Sequence, residues 1–528
     1  MSNYPRPLQT PIHHAPQNRS TSAWIPLPPE IIWMIIEEVD LASASQCARA
    51  ASCFVYPARR RIFQRICLFE TEYDHMTPTV GGRLADLLGL HYQRTESSVR
   101  HNRCIRLIEI LDGAPEIRGL VKELVVEGRT SRGTLNPVSS WYSAHDSPLS
   151  SVLSRLPCLE SISFLFPLSR PLLFRSLPLD SAHAIIRTVQ SPTLRKITLE
   201  NVLFENSASD PSDLLHFIRL CALGAGLSEL SVSEHYTGVR AQDMWTAAFG
   251  THHGLHEGHG MDGSTWRLKD LMPLPASSTR NYPVPLSSLS ITGTGFLTRV
   301  FLDWAMEPDS PISLSKLSSL TLGGLSRNSI SRASRVIQRS SQTLQHLAFT
   351  QESYHLSAYP ASLQSSFSTS ELLPVQNLRF VENHWDELRS CPTLHRWCTV
   401  IESSCFRQLT HFTVDIHWYL DSIARASRFR SVSWHRLESA LYRVSPDAKL
   451  CVNVKMTISQ CSDAHSVSQW WNIIGPDSGA LLAECFPLAH HKKDGFTFTV
   501  TVEGPVCVKQ ESPSYEYTPA RGWAQTRS

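Results

Sequence analysis

No apolar stretch in the 528 residues approaches the ~20 needed to cross a bilayer, so no membrane span is expected. An excess of charge of one sign is also missing: 49 Lys plus Arg stand against 47 Asp plus Glu, a formal net charge of +2. Neither nucleic acid nor an anionic membrane therefore has an electrostatic claim as the main partner. The 13 cysteines are too few for a disulfide scaffold, and none forms a Cys-x-x-Cys pair. Most adjoin apolar residues, as Cys67 does between Ile66 and Leu68, where a thiol packs as a small hydrophobe in a reducing compartment. Residues 1–22 hold no continuous apolar segment of the signal-peptide kind. A cytoplasmic and/or nuclear protein is the expectation.

Catalytic signatures are missing as well. Gly475-Pro476-Asp477-Ser478-Gly479 lacks the spacing of a nucleophile elbow, and Gly293-Thr294-Gly295 is not followed by the residues that cradle a phosphate. His252, His253, His256 and His259 crowd one short segment with Glu257, but the spacing is H-E-x-H. Two ligands on one helical face need H-E-x-x-H, and Gly254, Gly258 and Gly260 oppose a helix, so these read as loop histidines. Arg59, Arg60 and Arg61 fit a solvated helix face or an acidic partner. No enzyme activity, catalytic residue, metal site or cofactor is expected.

What the chain does contain is apolar material, 42% of its residues, in two patterns. Residues 1–24 carry Pro5, Pro7, Pro11 and Pro16 and read as a disordered tail. At residue 25 a helical unit begins and extends to residue 70. Pro28 or Pro29 suits a helix start, Glu30 favours its positive end, and Ile31, Ile32, Ile35, Ile36 and Val39 form a broad stripe. Trp33 and Met34 widen that stripe until little polar surface is left, which predicts apolar contacts on two sides. A second helix is predicted over about Ser43 to Val55, rich in Ala, and a third over Ala58 to Cys67, opened by Pro57. A unit this small is marginal alone and should lean on the rest of the chain or on a partner.

The second pattern fills 71–494. Segments of the form L-x-x-φ-x-φ recur, φ being apolar, among them Leu159 to Phe164, Leu194 to Leu199, Leu227 to Val232, Leu286 to Ile291, Leu317 to Leu322 and Leu344 to Phe349. Weaker copies begin at Leu378, Leu394 and Leu409. Each predicts a short strand with its apolar residues inward. Starts at 159, 194 and 227 are 35 and 33 residues apart, and from 286 the gaps are 31, 27, 34, 16 and 15. Helical pieces such as Ala182 to Gln190 and Leu214 to Ala222 lie between them. Strand, return and helix in each unit predict a stacked solenoid with parallel strands on its concave side. Residues 233–285, rich in Gly, His, Ser and Pro, interrupt the series as a projecting insertion, and 495–528 form a terminal strand, from Phe496 to Val502, and a frayed tail.

Leu27-Pro28-Pro29-Glu30-Ile31-Ile32-x-x-Ile35-Ile36, then Cys47, the Ala-rich helix and Pro57-Ala58-Arg59-Arg60-Arg61-Ile62-Phe63, resemble the F-box domain of fungal families in which that unit precedes degenerate leucine-rich repeats. The fold class implied is α/β: an N-terminal three-helix F-box-like unit followed by an irregular leucine-rich-repeat solenoid. The resemblance implies that Leu27, Pro28, Ile31 and Ile35 contribute to a surface gripping the Skp1 adaptor of a cullin–RING ubiquitin ligase. Ile62 and Phe63 would mainly close the helical core, with some adaptor contact. The family's central phrase has a basic residue and then a Trp; here Ala51 to Val55 lacks the basic residue and offers Val55 or, one place off, Phe54. The function so implied is a non-catalytic substrate-recognition adaptor with a Skp1-like partner and an unnamed protein target. The alternative is a leucine-rich-repeat scaffolding or binding protein whose helical unit is only a cap.

Overall fold

The computed structural model describes residues 27–69, 96–128, 147–167, 171–204, 212–224, 226–234, 268–271, 273, 283–293, 295–325, 327–352, 374–383, 398, 401–402, 406, 408–419, 434–444, 450–459, 496–503, 514–518 and 522–526. The expected tail over 1–24, the histidine cluster at 252–259, most of the 233–285 insertion and the Leu394 segment lie outside them. The chain divides into two units, Met1–Gln64 and Arg65–Ser528.

The described residues of the first unit form three helices, α1 (Pro29–Glu38), α2 (Leu41–Ala50) and α3 (Ser52–Phe63). Proline opens α1, where a missing N–H costs nothing. Asp40 caps α2, accepting from the Ser43 N–H at 2.8 Å and the Ser43 hydroxyl at 2.9 Å, and these bonds hold its carboxyl below the usual range. The break between the second and third helices falls at Ala51, whose backbone is extended, rather than at Pro57. Pro57 lies buried inside α3, and residues predicted to continue that helix become a strand instead. Ile36, Ala44 and Ala58 form the fully buried centre, with Val39, Cys47, Ala48, Phe54 and Ile62 packed around it. Small residues on α2 and α3 let those helices approach closely.

Among the described residues the second unit is built on one sheet of fourteen strands. In order they are β1 (Arg65–Phe69), β2 (Glu123–Glu127), β3 (Ser161–Leu165), β5 (Lys196–Glu200), β7 (Glu229–Ser233), β9 (Ser288–Thr292), β11 (Ser319–Gly323), β12 (His346–Glu352), β13 (Asn377–Asn383), β14 (His411–Tyr419), β15 (Leu450–Ser459), β16 (Phe496–Glu503), β17 (Ser514–Thr518) and β18 (Gly522–Thr526). Neighbours are parallel as far as β16, and the last two pairings are antiparallel. The short strands β4 (Leu172–Leu173) and β6 (Val202–Leu203) pair apart from it, as do β8 (Val284–Pro285) and β10 (Ile312–Ser313).

Two apolar rows cross the sheet in register. Leu124, Ile162, Ile197, Leu230, Leu289, Leu320, Leu347, Leu378, Phe412 and Val452 make one. Val126, Phe164, Leu199, Val232, Ile291, Leu322, Phe349, Phe380, Val414 and Val454 make the other, and every residue of both is buried. Crossing helices cover such strands. In Leu179–Val189 the buried set is Ser181, Ala182, Ile185, Ile186 and Val189, and in Gly295–Ala305 the Thr298 hydroxyl donates to the Gly323 carbonyl at 2.8 Å.

The sheet strands from β3 to β14 are clasped at their entry. The N–H groups of Arg195 and Lys196 both donate to the Glu160 carbonyl, those of Ser228 and Glu229 to Arg195, and those of Ser287 and Ser288 to Ser228. The pattern continues through Ser318, Gln345, Gln376 and Thr410. Hydroxyls reinforce it: Ser228, Ser287, Ser318 and Thr410 each donate to the same preceding carbonyl, at 3.2, 3.1, 3.0 and 3.1 Å.

Close approach of backbone to backbone explains Gly226, just ahead of β7. A Cβ there would meet the carbonyl oxygen of Pro192 and lie 2.6 Å from that of Leu194. Backbone cannot give way as a side-chain tip can, so Gly226→Ala should destabilise this unit by about 1–3 kcal/mol, read as a lowered urea midpoint. An unchanged midpoint would mean that the chain has room to shift there.

The leucine-rich-repeat solenoid and F-box bundle expected from the sequence are overturned as the fold class. The architecture is a mixed α/β fold with one continuous, mainly parallel sheet and dispersed helices. Paired residues on adjacent parallel strands are separated by anything from 27 residues (Ser319 and His346) to 59 (Glu229 and Ser288), so no repeat length is kept. The strands lengthen from 5 residues in β11 to 10 in β15, and the sheet ends in antiparallel hairpin-like pairings.

Candidate functional site

The face of the sheet opposite the apolar rows is polar, and its first half satisfies itself. Arg65 pairs with Glu123 at 3.4 Å and Lys196 with Glu229 at 3.2 Å across neighbouring strands, and Lys122 with Glu160 at 2.9 Å just ahead of β2 and β3. Solvent-exposed pairs of this kind contribute about 0–1 kcal/mol each.

Over β11 to β14 the described residues hold no directly opposite charge pair, Arg379 pairing diagonally with Asp415 of β14, and a hollow of about 300 Å³ opens. Its first register row is Ser319, His346, Asn377 and His411, and its second is Thr321, Ala348, Arg379 and Thr413. Ala348 makes the hollow: a single methyl stands between Thr321 and Arg379, where longer side chains would fill the space.

The polar groups around it are individually fixed. Arg379 donates from Nε to Oδ2 of Asp415 at 2.7 Å and from Nη2 to the same oxygen. The Asp415 side chain is 4% exposed and that of Arg379 is 57% exposed, so the carboxylate lies under the guanidinium. Nδ2 of Asn377 donates to Nδ1 of His346 at 2.9 Å, which places the His346 proton on Nε2. The Thr410 hydroxyl donates to the Gln376 carbonyl, so it accepts from Nδ1 of His411 at 3.0 Å and leaves the Nε2 lone pair outward. The site therefore offers fixed donors, one imidazole acceptor and a cation. Among the described residues neither imidazole bonds to a carboxylate, the arrangement that would orient a catalytic base.

Other groups do not gather into a reactive centre. Burial pushes the thiol of Cys104 up to about 11 and that of Cys398 up to about 12, and raises Cys221 well above the usual range. Such thiols stay protonated and unreactive at neutral pH. Burial also lifts the Glu234 carboxyl to about 7, beyond the end of β7 and outside the hollow. A second hollow of about 640 Å³ lies beside the helix Leu149–Leu153 and Leu179–Val189; its lining includes Asp180 and Arg187, charges of opposite sign. Among the described residues no cluster of His, Cys, Asp and Glu could hold a metal ion, and no helix is long and apolar enough to cross a membrane.

The residues singled out from the sequence all lie in the helical unit. Leu27, Pro28, Ile31 and Ile35 are exposed, as are Met34, Leu41 and Tyr56. Phe54 and Ile62 turn instead onto the Ile36 centre, and Phe63 is half-buried. Arg60 lies 4.9 Å from the Trp33 ring, which meets Tyr56 edge-on at 5.8 Å. None of the seven belongs to the hollow. His346, Asn377, Arg379 and His411 were not anticipated as a site; their signal is the third and fifth places of the strand segments, compared across strands instead of along one.

Comparison with protein-family models and with curated proteins finds no match. The F-box and leucine-rich-repeat family assignment is thereby overturned, and with it the ligase-adaptor function, its SCF setting and the repeat-scaffold alternative.

Proposed function

We propose that the chain is a non-catalytic recognition protein that holds an extended segment of another protein across the polar face of its sheet. The observation that carries this reading is the hollow over β11 to β14, where fixed hydrogen-bonding groups, with Arg379 held by Asp415, stand around a single methyl. An extended chain can lie across parallel strands and meet one side chain from each, about 4.8 Å apart. The protonated thiols and carboxylate-free imidazoles favour binding over turnover.

The test is to fill the hollow. Ala348→Trp places a large ring at its floor while the main-chain ladder of β12 stays paired. Full-length protein and the variant are used as bait under identical conditions, and captured proteins are compared by quantitative mass spectrometry. The expected result is a specific set of proteins depleted at least tenfold with Ala348→Trp at unchanged thermal stability. Equal capture by both baits would refute a binding role for this face.

A further inference from the structure

We propose that the hollow takes an oxyanion, the carboxylate or phosphate of an acidic side chain on the bound segment, against Arg379. This rests on the recognition role proposed above and names the chemistry that role requires.

The lining is the first ground. Serine and threonine hydroxyls, the Asn377 amide, His346 and Arg379 supply donors, and no Asp or Glu lines the hollow. Elsewhere on this face a cation meets the carboxylate directly opposite it, as Lys196 meets Glu229, whereas Arg379 reaches diagonally to Asp415 of β14. Across the register Arg379 meets only Ala348 and Thr413. The carboxylate it does have, Asp415, lies buried beneath it and accepts two of its donors through one oxygen.

That geometry is the second ground. A guanidinium has five N–H donors in a rigid plane, and anchoring Nε and Nη2 from below fixes the plane while the remaining donors stay at the exposed end. Asp415 is thus a positioning residue. His346 adds a donor whose direction is set by Asn377, and Ala348 leaves the space in which an oxyanion reaches both. Charge-assisted bonds of this type are about twice as strong as neutral ones, so one acidic side chain would dominate selection of the segment.

A random twelve-residue peptide library displayed on phage is panned on the immobilised full-length protein, discarding peptides that also bind Ala348→Trp. One enriched Asp or Glu position is expected. A synthetic peptide carrying Glu, Gln or phosphoserine at that position is then titrated by fluorescence anisotropy. Replacing Glu by Gln should weaken binding at least tenfold to the wild type and less than twofold to Arg379→Gln. Because that variant leaves Asp415 without this cation, Arg379→Gln with Asp415→Asn is the isosteric companion and should behave alike. Tighter binding of phosphoserine than of Glu assigns the natural group as phosphate, and the reverse order as carboxylate; both support the inference. Peptides without an acidic position that bind Arg379→Gln normally but not Ala348→Trp would overturn the oxyanion and leave the recognition role standing. No peptide sensitive to Ala348→Trp would overturn both.

Discussion

Phe412→Ala is expected to lower the stability of the sheet unit by about 3–5 kcal/mol, the range for removing a buried aromatic ring from a core. Phe412 is fully buried in β14, between Leu378 and Val452 in register. Its ring lies 5.5 Å from that of Phe380, which stacks at 5.9 Å on Phe349, so three adjacent strands are tied by one aromatic run. About 0.5–1.5 kcal/mol of the loss belongs to the ring pairing and the rest to transfer and the cavity left behind. Phe412→Leu keeps most of the volume and should recover more than half. Urea unfolding followed by circular dichroism measures both variants. A midpoint unchanged in Phe412→Ala would show that the aromatic run is not part of the cooperative core. Because His411 and Thr413 flank Phe412, peptide binding at the hollow should weaken in the same variant, linking the packing beneath the sheet to recognition above it.

Ile36→Ala should unfold the helical unit while leaving the sheet intact. At about 0.05–0.15 kcal/mol per residue, the 38 described residues of that unit, 27–64, amount to about 2–6 kcal/mol. Truncating a fully buried Ile costs about 2–5 kcal/mol, so one substitution consumes most or all of it. The other two central residues, Ala44 and Ala58, have no bulk with which to close the gap. Limited proteolysis with mass spectrometry of the fragments reads the outcome: cleavage within 29–63 should appear at once, and the fragment from residue 65 onward should persist. A cleavage pattern like that of the wild type would mean that the helices draw their stability from somewhere other than this centre.

Local structure was more legible than long-range arrangement, for a physical reason. Alternation is a short-range signal: Leu194 to Leu199 carries enough to place β5, and Leu227 to Val232 enough to place β7. The frame failed where the lead residue was not leucine. Val375, fully buried, takes the place expected of Leu378, which instead sits inside β13. In the helical unit Pro57 suggested a boundary because its ring deprives a helix of one N–H, yet the extended backbone of Ala51 supplied the break and the proline was absorbed into α3. The site was illegible for a stronger reason. Ala348 is an ordinary small residue until β11, β12 and β13 are set side by side, and Arg379 is an ordinary surface cation until Asp415 is found beneath it. No composition, run or motif brings together residues from four strands. The exposed apolar residues of α1, by contrast, stood out in the sequence as a stripe along one helix.

The doubled bonds that clasp the sheet strands from β3 to β14 at their first residues decouple the pairing of strands from the length of chain between them. Ser228 reaches back 33 residues to Arg195, and Ser287 reaches back 59 to Ser228, yet both close on the same kind of carbonyl in the same way. Closing the longer span costs only about 0.5 kcal/mol more in chain entropy, less than one such bond contributes. Connectors in this protein are therefore free to grow, shrink or exchange without disturbing which residues face each other. Evolution can rewrite the edges of such a molecule while its central register, and whatever is read there, stays in place.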